Sequence, residues 1–69
     1  MILNAIVQKD SDGYFAYIPE FKGCVTQADS FEKAIENIKE AGELYLQSLE
    51  IEQVKALSNK ITSIVQLEI

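Results

Sequence analysis

The stretch from Asp12 to Ala41, DGYFAYIPEFKGCVTQADSFEKAIENIKEA, decides how this chain folds. Just before and into it, Asp10-Ser11-Asp12-Gly13 reads as a turn: Asp and Ser side chains bond nearby backbone, and Gly13 can take positive φ. Tyr14 to Ile18 follows as a strand rich in aromatic and branched residues. Alternation puts Tyr14, Ala16 and Ile18 on one face and Phe15 and Tyr17 on the other. Pro19 ends the strand because it has no N–H to give a ladder. Glu20-Phe21-Lys22-Gly23 then makes a corner, and Cys24 to Ala28 a short third strand. Ser30 is a good helix N-cap; Asp29 with Glu32 would make an alternative capping box. At about 100° per residue, Phe31, Ile35, Ile38, Gly42, Tyr45, Leu46 and Leu49 fall on one stripe. Glu32, Glu36, Glu40, Glu43 and Gln47 fall on the opposite face.

Working outward, Ile2 to Lys9 reads as a strand with two fairly apolar faces: Leu3, Ala5 and Val7 on one, Ile2, Asn4 and Ile6 on the other. With the turn and the strand after it, this makes a β-hairpin. Glu50 to Leu57 either extends the helix or forms a short second one, and Ser58-Asn59 breaks it. Ile61 to Ile69 reads as a last strand, with Ile61, Ser63, Val65, Leu67 and Ile69 on one side. The expected order is therefore βββαβ, an α+β domain over residues 1–69 with one main amphipathic helix on one face of an antiparallel sheet. Gly42 is anomalous, since a mid-helix glycine costs roughly 1 kcal/mol against alanine. Either the sheet approaches closely there, or the position is a tolerated packing gap.

At 69 residues the chain forms one small domain. Such a chain hides only about 60% of its unfolded surface, and one small core rarely supplies more than about 3–5 kcal/mol. One cysteine and no histidine leave neither an internal disulfide nor a zinc set as a staple. Oligomerisation or a partner chain remains. The net charge of −5 repels phosphate backbones and disfavours direct nucleic-acid binding. It favours encounter with a basic protein, although acidic surface also serves plain solubility. The N-terminal residues lack the basic region and cleavage site of a signal peptide, and no segment approaches membrane-spanning length. A lone cysteine without an export signal points to a reducing cytoplasm.

The catalytic inventory is thin. No histidine is available as a general base near neutral pH. Cys24 has no evident activator and reads as a small, partly buried strand residue. Asp10, Asp12, Glu20 and Asp29 imitate a nuclease carboxylate set only loosely, because turn and cap roles account for three of them. The Asp10-x-Asp12-Gly13 series is far short of a calcium loop. The expectation is a non-enzyme with no metal or cofactor. Phe15 and Tyr17 stand out, because one helix cannot cover both sheet faces, and an exposed aromatic pair marks an interface. It serves either self-association or a foreign partner. The acidic helix face reads as a solvated exterior. The expected contact residues are Phe15, Tyr17, Glu20, Phe21 and Lys22, which combine aromatics with charge at an edge corner.

The ordered series Gly13, Tyr14, Ala16, Pro19, Glu20, Phe21, Gly23, Cys24, Thr26, Gln27, Asp29 and Ser30 resembles the hallmark of the HicB family, the antitoxin partners of HicA toxins. The following FEKAIENIKEA is similar to the family helix. Lys22 stands where the family usually has proline, Ala28 where glycine is common, and Gly42 where a larger apolar residue is usual. The resemblance implies a partial ribonuclease-H-like fold without its catalytic carboxylates. It implies binding to a small, basic HicA-type mRNA interferase, whose active site is covered and blocked. Many family members carry a C-terminal DNA-binding module; this chain resembles the stand-alone members, so operator binding is not expected. The alternative is a stand-alone homo-oligomeric scaffold with no toxin.

Overall fold

The turn at Asp10–Gly13 sets the register of the sheet. In the computed structural model, which describes residues 1–69, Asp10 Oδ1 accepts a hydrogen bond from the Asp12 N–H at 2.9 Å. This Asx turn reverses the chain. It joins β1 (Ile6–Asp10) to β2 (Gly13–Tyr17), and β2 pairs in turn with β3 (Val25–Ala28). The sheet is antiparallel in the order β1-β2-β3. Two rows of cross-strand neighbours fix its faces. Val7, Ala16 and Thr26 lie abreast on the inner face; Ile6, Tyr17 and Val25 lie abreast on the outer one.

Between β2 and β3 the chain folds tightly on itself. Phe21 N–H donates to Ile18 O at 3.0 Å, Cys24 N–H to Phe21 O at 3.0 Å, and Ile18 N–H to Cys24 O at 3.2 Å. Pro19 ends the ladder as expected, and these bonds turn the corner inward.

Helix α1 (Phe31–Gln47) begins at Ser30, which is extended and accepts from the Lys33 N–H through Oγ at 3.1 Å. Of the two capping schemes open in the sequence, Ser30 is therefore the cap. The buried side of α1 is Ala34, Ile38 and Gly42, with Ala41, Tyr45, Leu46 and Leu49 packed around the core. Phe31 and Ile35, expected in the stripe, are 50% and 40% exposed. The helix is rolled toward its small residues, because Ala34 and Gly42 let it sit close to the sheet. Phe31 instead meets the Tyr14 ring edge-on, with centroids 6.4 Å apart.

Gly42 is explained by close approach rather than by a gap. A Cβ built there would lie 2.8 Å from Ile18 Cδ1. The core is Ala16, Ile18, Phe21, Cys24, Ala34 and Ile38, gathered where β2, the corner and α1 meet.

Ser48 closes α1, its N–H and Oγ both donating to Tyr45 O. Glu50 then opens a separate helix, α2 (Ile51–Ser58), its N–H donating to Gln53 Oε1 at 2.8 Å. Of the two readings of residues 50–57, the second helix is the one found. No residue of α2 is fully buried; Leu57 is its contact with the core.

The α+β class stands, but the fourth strand of the expected βββαβ order is corrected. Residues 61–69 make no ladder, and the elements run β1-β2-β3-α1-α2. Ile61, Val65, Leu67 and Ile69 are all at least 70% exposed. Alternation selects the two sides of a strand, but a strand forms only against another strand's N–H and C=O groups. Asn4, just ahead of β1, donates through Nδ2 to Thr62 O at 3.3 Å. For the same reason residues 2–5, expected in the first strand, lie outside the sheet, and β1 starts only at Ile6, opposite Tyr17.

Candidate interaction surface

The sheet has one covered face and one open face. Helix α1 packs on the side of Ala16 and Ile18. The other side carries Ile6, Tyr17 and Val25 in one row and Gln8, Phe15 and Gln27 in the next. Phe15 and Tyr17, two apart on β2, stand side by side with ring centroids 5.8 Å apart and planes tilted by 45°. Both are half-buried by their neighbours, and Val25 beside them is 52% exposed. Two aromatics and two branched aliphatics, bordered by two glutamines, thus make a patch with an apolar centre and amide rim. That is the composition of an interface core.

The other expected contact residues separate. Lys22 is exposed on the corner. Glu20 is half-buried and turned to the N-terminal segment: its Oε2 accepts from both the N–H and Nδ2 of Asn4, each at 3.3 Å, while Oε1 is buried without a donor. Phe21 is the correction. It is 1% exposed, the largest fully buried side chain of the chain, and stacks on Tyr45 with centroids 4.5 Å apart. Its ring is the floor of the core and not a contact surface, because the hydrogen bonds of the corner point it inward.

The acidic residues of α1 lie away from the aromatic patch. Glu32, Glu36, Glu40 and Glu43 are exposed on the side of the helix turned from the sheet. The Lys33–Glu36 pair, at 3.7 Å and largely solvated, adds little. One flat partner therefore cannot meet both the helix acids and Phe15–Tyr17. Asp10 is the acid that shares the outer-face alternation, at the hairpin end of β1.

Neither candidate chemistry is assembled. Asp10 and Asp12 are engaged in the turn, Glu20 in the link to Asn4, and no cluster of acidic or thiol ligands of metal-binding size is present. The Cys24 thiol is buried, and that burial pushes its pKa up from the ordinary 9.0. A raised thiol pKa keeps the proton on the folded chain while the unfolded chain loses it. Stability is thus expected to fall as pH rises above about 9. Wild type should lose more of its urea midpoint between pH 7 and pH 10 than Cys24→Ala does. Thiol reagents should label Cys24 slowly until urea is added; rapid labelling of the folded protein would contradict its placement.

Sequence reasoning did not find a groove of about 320 Å³ between residues 1–5 and α1. Leu3, Ala5, Ile35 and Leu46 are among its walls, with Lys39 and Glu43 at its edge. The half-exposed Ile35 and the apolar N-terminus were its signals. The sequence reading instead puts Ile35 in the stripe of α1 and residues 2–5 in the first strand.

Residues 3–68 match the family model described as HicB_like antitoxin of bacterial toxin-antitoxin system. The chain belongs to this family. The family's role is that of an antitoxin, whose partner in general is a toxin. A UPF0150 protein of Helicobacter pylori is 51% identical over 69 residues, covering all of this chain and 96% of its own length. A UPF0150 protein of Synechocystis is 52% identical over 47 residues, which span 67% of this chain and 60% of the relative. One from Archaeoglobus fulgidus is 46% identical over 43 residues, 61% of this chain and 62% of the relative. No solved structure matches the chain. No helix is long and apolar enough to cross a membrane.

Proposed function

We propose that this HicB-like chain is an antitoxin of the cytoplasm that binds a small, basic HicA-type mRNA interferase and masks its active site. The observation that carries this reading is the uncovered outer sheet face with Phe15 and Tyr17 at its centre. Masking asks for a surface and not for chemistry, and the chain acts here without catalysis, metal or cofactor. Phe15 and Tyr17 supply the apolar anchor, with Lys22 and Glu20 on the nearby corner as polar contacts of lesser weight. Phe21 contributes from beneath, by holding that corner. The net charge of −5 speeds encounter with a basic partner, while aromatic burial sets how long the complex lasts.

The double variant Phe15→Ala/Tyr17→Ala is expected to weaken binding to a HicA-type toxin by about 30-fold or more. Its thermal melt should stay cooperative, because neither ring is in the core. Glu36→Ala, on the opposite side of the molecule, should leave the dissociation rate unchanged. Calorimetry or surface binding reads both. Unchanged affinity in the folded double variant would remove the sheet face from the interface.

The alternative, a homo-oligomeric scaffold without a toxin, is favoured by a different observation, the exposed segment after α2.

A further inference from the structure

Glu20 Oε1 is the one buried side-chain oxygen of the chain without a hydrogen bond. The other oxygen, Oε2, accepts from the N–H and Nδ2 of Asn4 at 3.3 Å each, and both donors are neutral. Lys33–Glu36 is the single ion pair of the chain, so no lysine offsets the Glu20 carboxylate. A carboxylate held in this way is under-satisfied, because leaving water costs free energy that only donors return. Bonds from cationic N–H donors are also shorter, at about 2.7–2.9 Å. Asn4 uses its amide a second time, Nδ2 donating to Thr62 O at 3.3 Å. One carboxylate thus ties the corner between β2 and β3 to residues 2–5 and, through Asn4, to the segment after α2. Residues 2–5 join no ladder. Leu3 packs on the core, and Leu3, Asn4 and Ala5 wall the groove whose other side includes Ile35, Ile38 and Leu46 of α1. Glu20 is the polar tie of this strap, and it adjoins the aromatic patch. It follows Tyr17 by three residues, and Ile6, two residues after Asn4, pairs with Tyr17.

We propose that Glu20 is an exchangeable latch. In the free chain it pins residues 2–5 through Asn4; in a complex, a guanidinium of a basic partner takes the carboxylate and releases them. The identity of that partner rests on the antitoxin reading, and the latch itself does not. A guanidinium is the donor that fits, because its paired N–H groups engage both oxygens of a carboxylate at once. Oε1 is then satisfied, whereas Asn4 serves Oε2 alone. The chain cannot supply this group, since its six basic residues are all lysines. Nor can the cation simply be added. Oε1 is shielded from solvent, so a guanidinium reaches both oxygens only as Asn4 leaves Oε2 and residues 2–5 move. The two occupants are therefore mutually exclusive, and each biases the same segment toward a different state. A partner seated on Phe15 and Tyr17 brings its basic residues beside this corner. Glu20 thereby couples binding on the outer sheet face to release of the strap that walls the groove.

The test is backbone amide exchange on the full chain, followed by NMR at Asn4 with the buried Ile38 of α1 as reference. Glu20→Ala should speed Asn4 exchange by about tenfold or more relative to Ile38, the loss of a hydrogen bond to a charged acceptor. Glu20→Gln keeps an acceptor without the charge and should stay within about threefold of wild type. Dilute guanidinium chloride, well below its unfolding range, should speed Asn4 exchange in wild type beyond sodium chloride at equal ionic strength. It should not do so in Glu20→Gln. In the complex with a HicA-type toxin, wild-type Asn4 should exchange about tenfold faster than in the free chain, while Glu20→Gln keeps its Asn4 protected. Asn4 exchange that is indifferent to guanidinium, or to Glu20→Ala, overturns the latch. So does equal acceleration in Glu20→Gln, or a toxin complex in which wild-type Asn4 becomes more protected. The guanidinium comparison needs only wild type and the isosteric variant, so it decides even where Glu20→Ala fails to fold. A chain that passes this comparison yet binds no toxin keeps the latch and loses the antitoxin reading, so the two fail separately.

Discussion

Phe21→Ala is expected to abolish cooperative folding. Phe21 is the largest fully buried side chain, stacked nearly parallel on Tyr45 with an interplanar angle of 15°. It also sits on the tightest part of the backbone, where Phe21 N–H and Phe21 O close the corner between β2 and β3. Removing a buried phenyl ring costs about 3–5 kcal/mol. A single core in a chain of this size supplies about the same. Nothing else in the core has the volume to fill the hole, because Ala16, Cys24 and Ala34 are small and α1 already rests against Ile18 through Gly42. A thermal or urea melt followed by circular dichroism should show a broad, weak transition in place of a cooperative one. Phe21→Leu, which keeps most of the volume, should retain a cooperative melt and toxin affinity. A cooperative Phe21→Ala melt shifted by only a few degrees would contradict the core assignment. A folded Phe21→Leu variant with lost affinity would return the side chain to the interface.

The different fates of Phe21 and its neighbours show what a local pattern carries. The Asp10–Gly13 turn, the end of β2 at Pro19, the Ser30 cap and the outward pair Phe15–Tyr17 were all legible, because each follows from contacts within a few residues. Phe21 was not. It lies in an irregular corner, where no period of two or of 3.6 says which way a side chain points, and hydrogen bonds visible only in three dimensions turn it inward. The stripe of α1 was legible as a face, Gly42 and Ile38 included, but its roll was not: hydrophobicity took in Phe31 and Ile35, which are exposed, and left out Ala34, which packing buries. Small residues steer a helix by how close they let it come, which a hydrophobic stripe does not register. The tail is the third kind of case. Its alternation is real, but pairing is non-local, and residues 61–69 join no ladder.

These differences sharpen the proposed contact surface. Five residues of one corner and strand reduce to an aromatic pair on the sheet, a lysine on the rim and a glutamate turned aside to Asn4. The remaining aromatic is the support on which that corner rests. The acidic helix face lies on the side of α1 turned from the sheet, so in the proposed complex its charge would act on a basic partner at long range, through steering, and not through contact.

Gly13→Ala is expected to be the most damaging change outside the core. Gly13 adopts φ of +127°, a conformation L side chains rarely adopt, and a Cβ there would lie 2.8 Å from the backbone oxygen of Ala28. Strain of this kind costs about 1–3 kcal/mol, before the contact with Ala28 is counted. Relief would require either the Asx turn to open or β3 to move off β2, and Tyr14 pairs with Ala28 at that end of the ladder. Since 1 kcal/mol shifts the melting temperature of such a domain by about 4–8 °C, a drop on the order of 10–20 °C is expected. Gly42→Ala is the instructive comparison, because its Cβ would also meet an atom at 2.8 Å. There the atom is Ile18 Cδ1, the movable end of a side chain, and the backbone is already helical. The cost of shifting Ile18 is opposed by about 1 kcal/mol of helix propensity, so Gly42→Ala should leave the melting temperature within a few degrees of wild type. Equal losses in the two variants would mean that distance alone governs both sites. A large loss at Gly13 with little change at Gly42 would establish that the hairpin turn needs glycine for its backbone, whereas α1 uses it only for room.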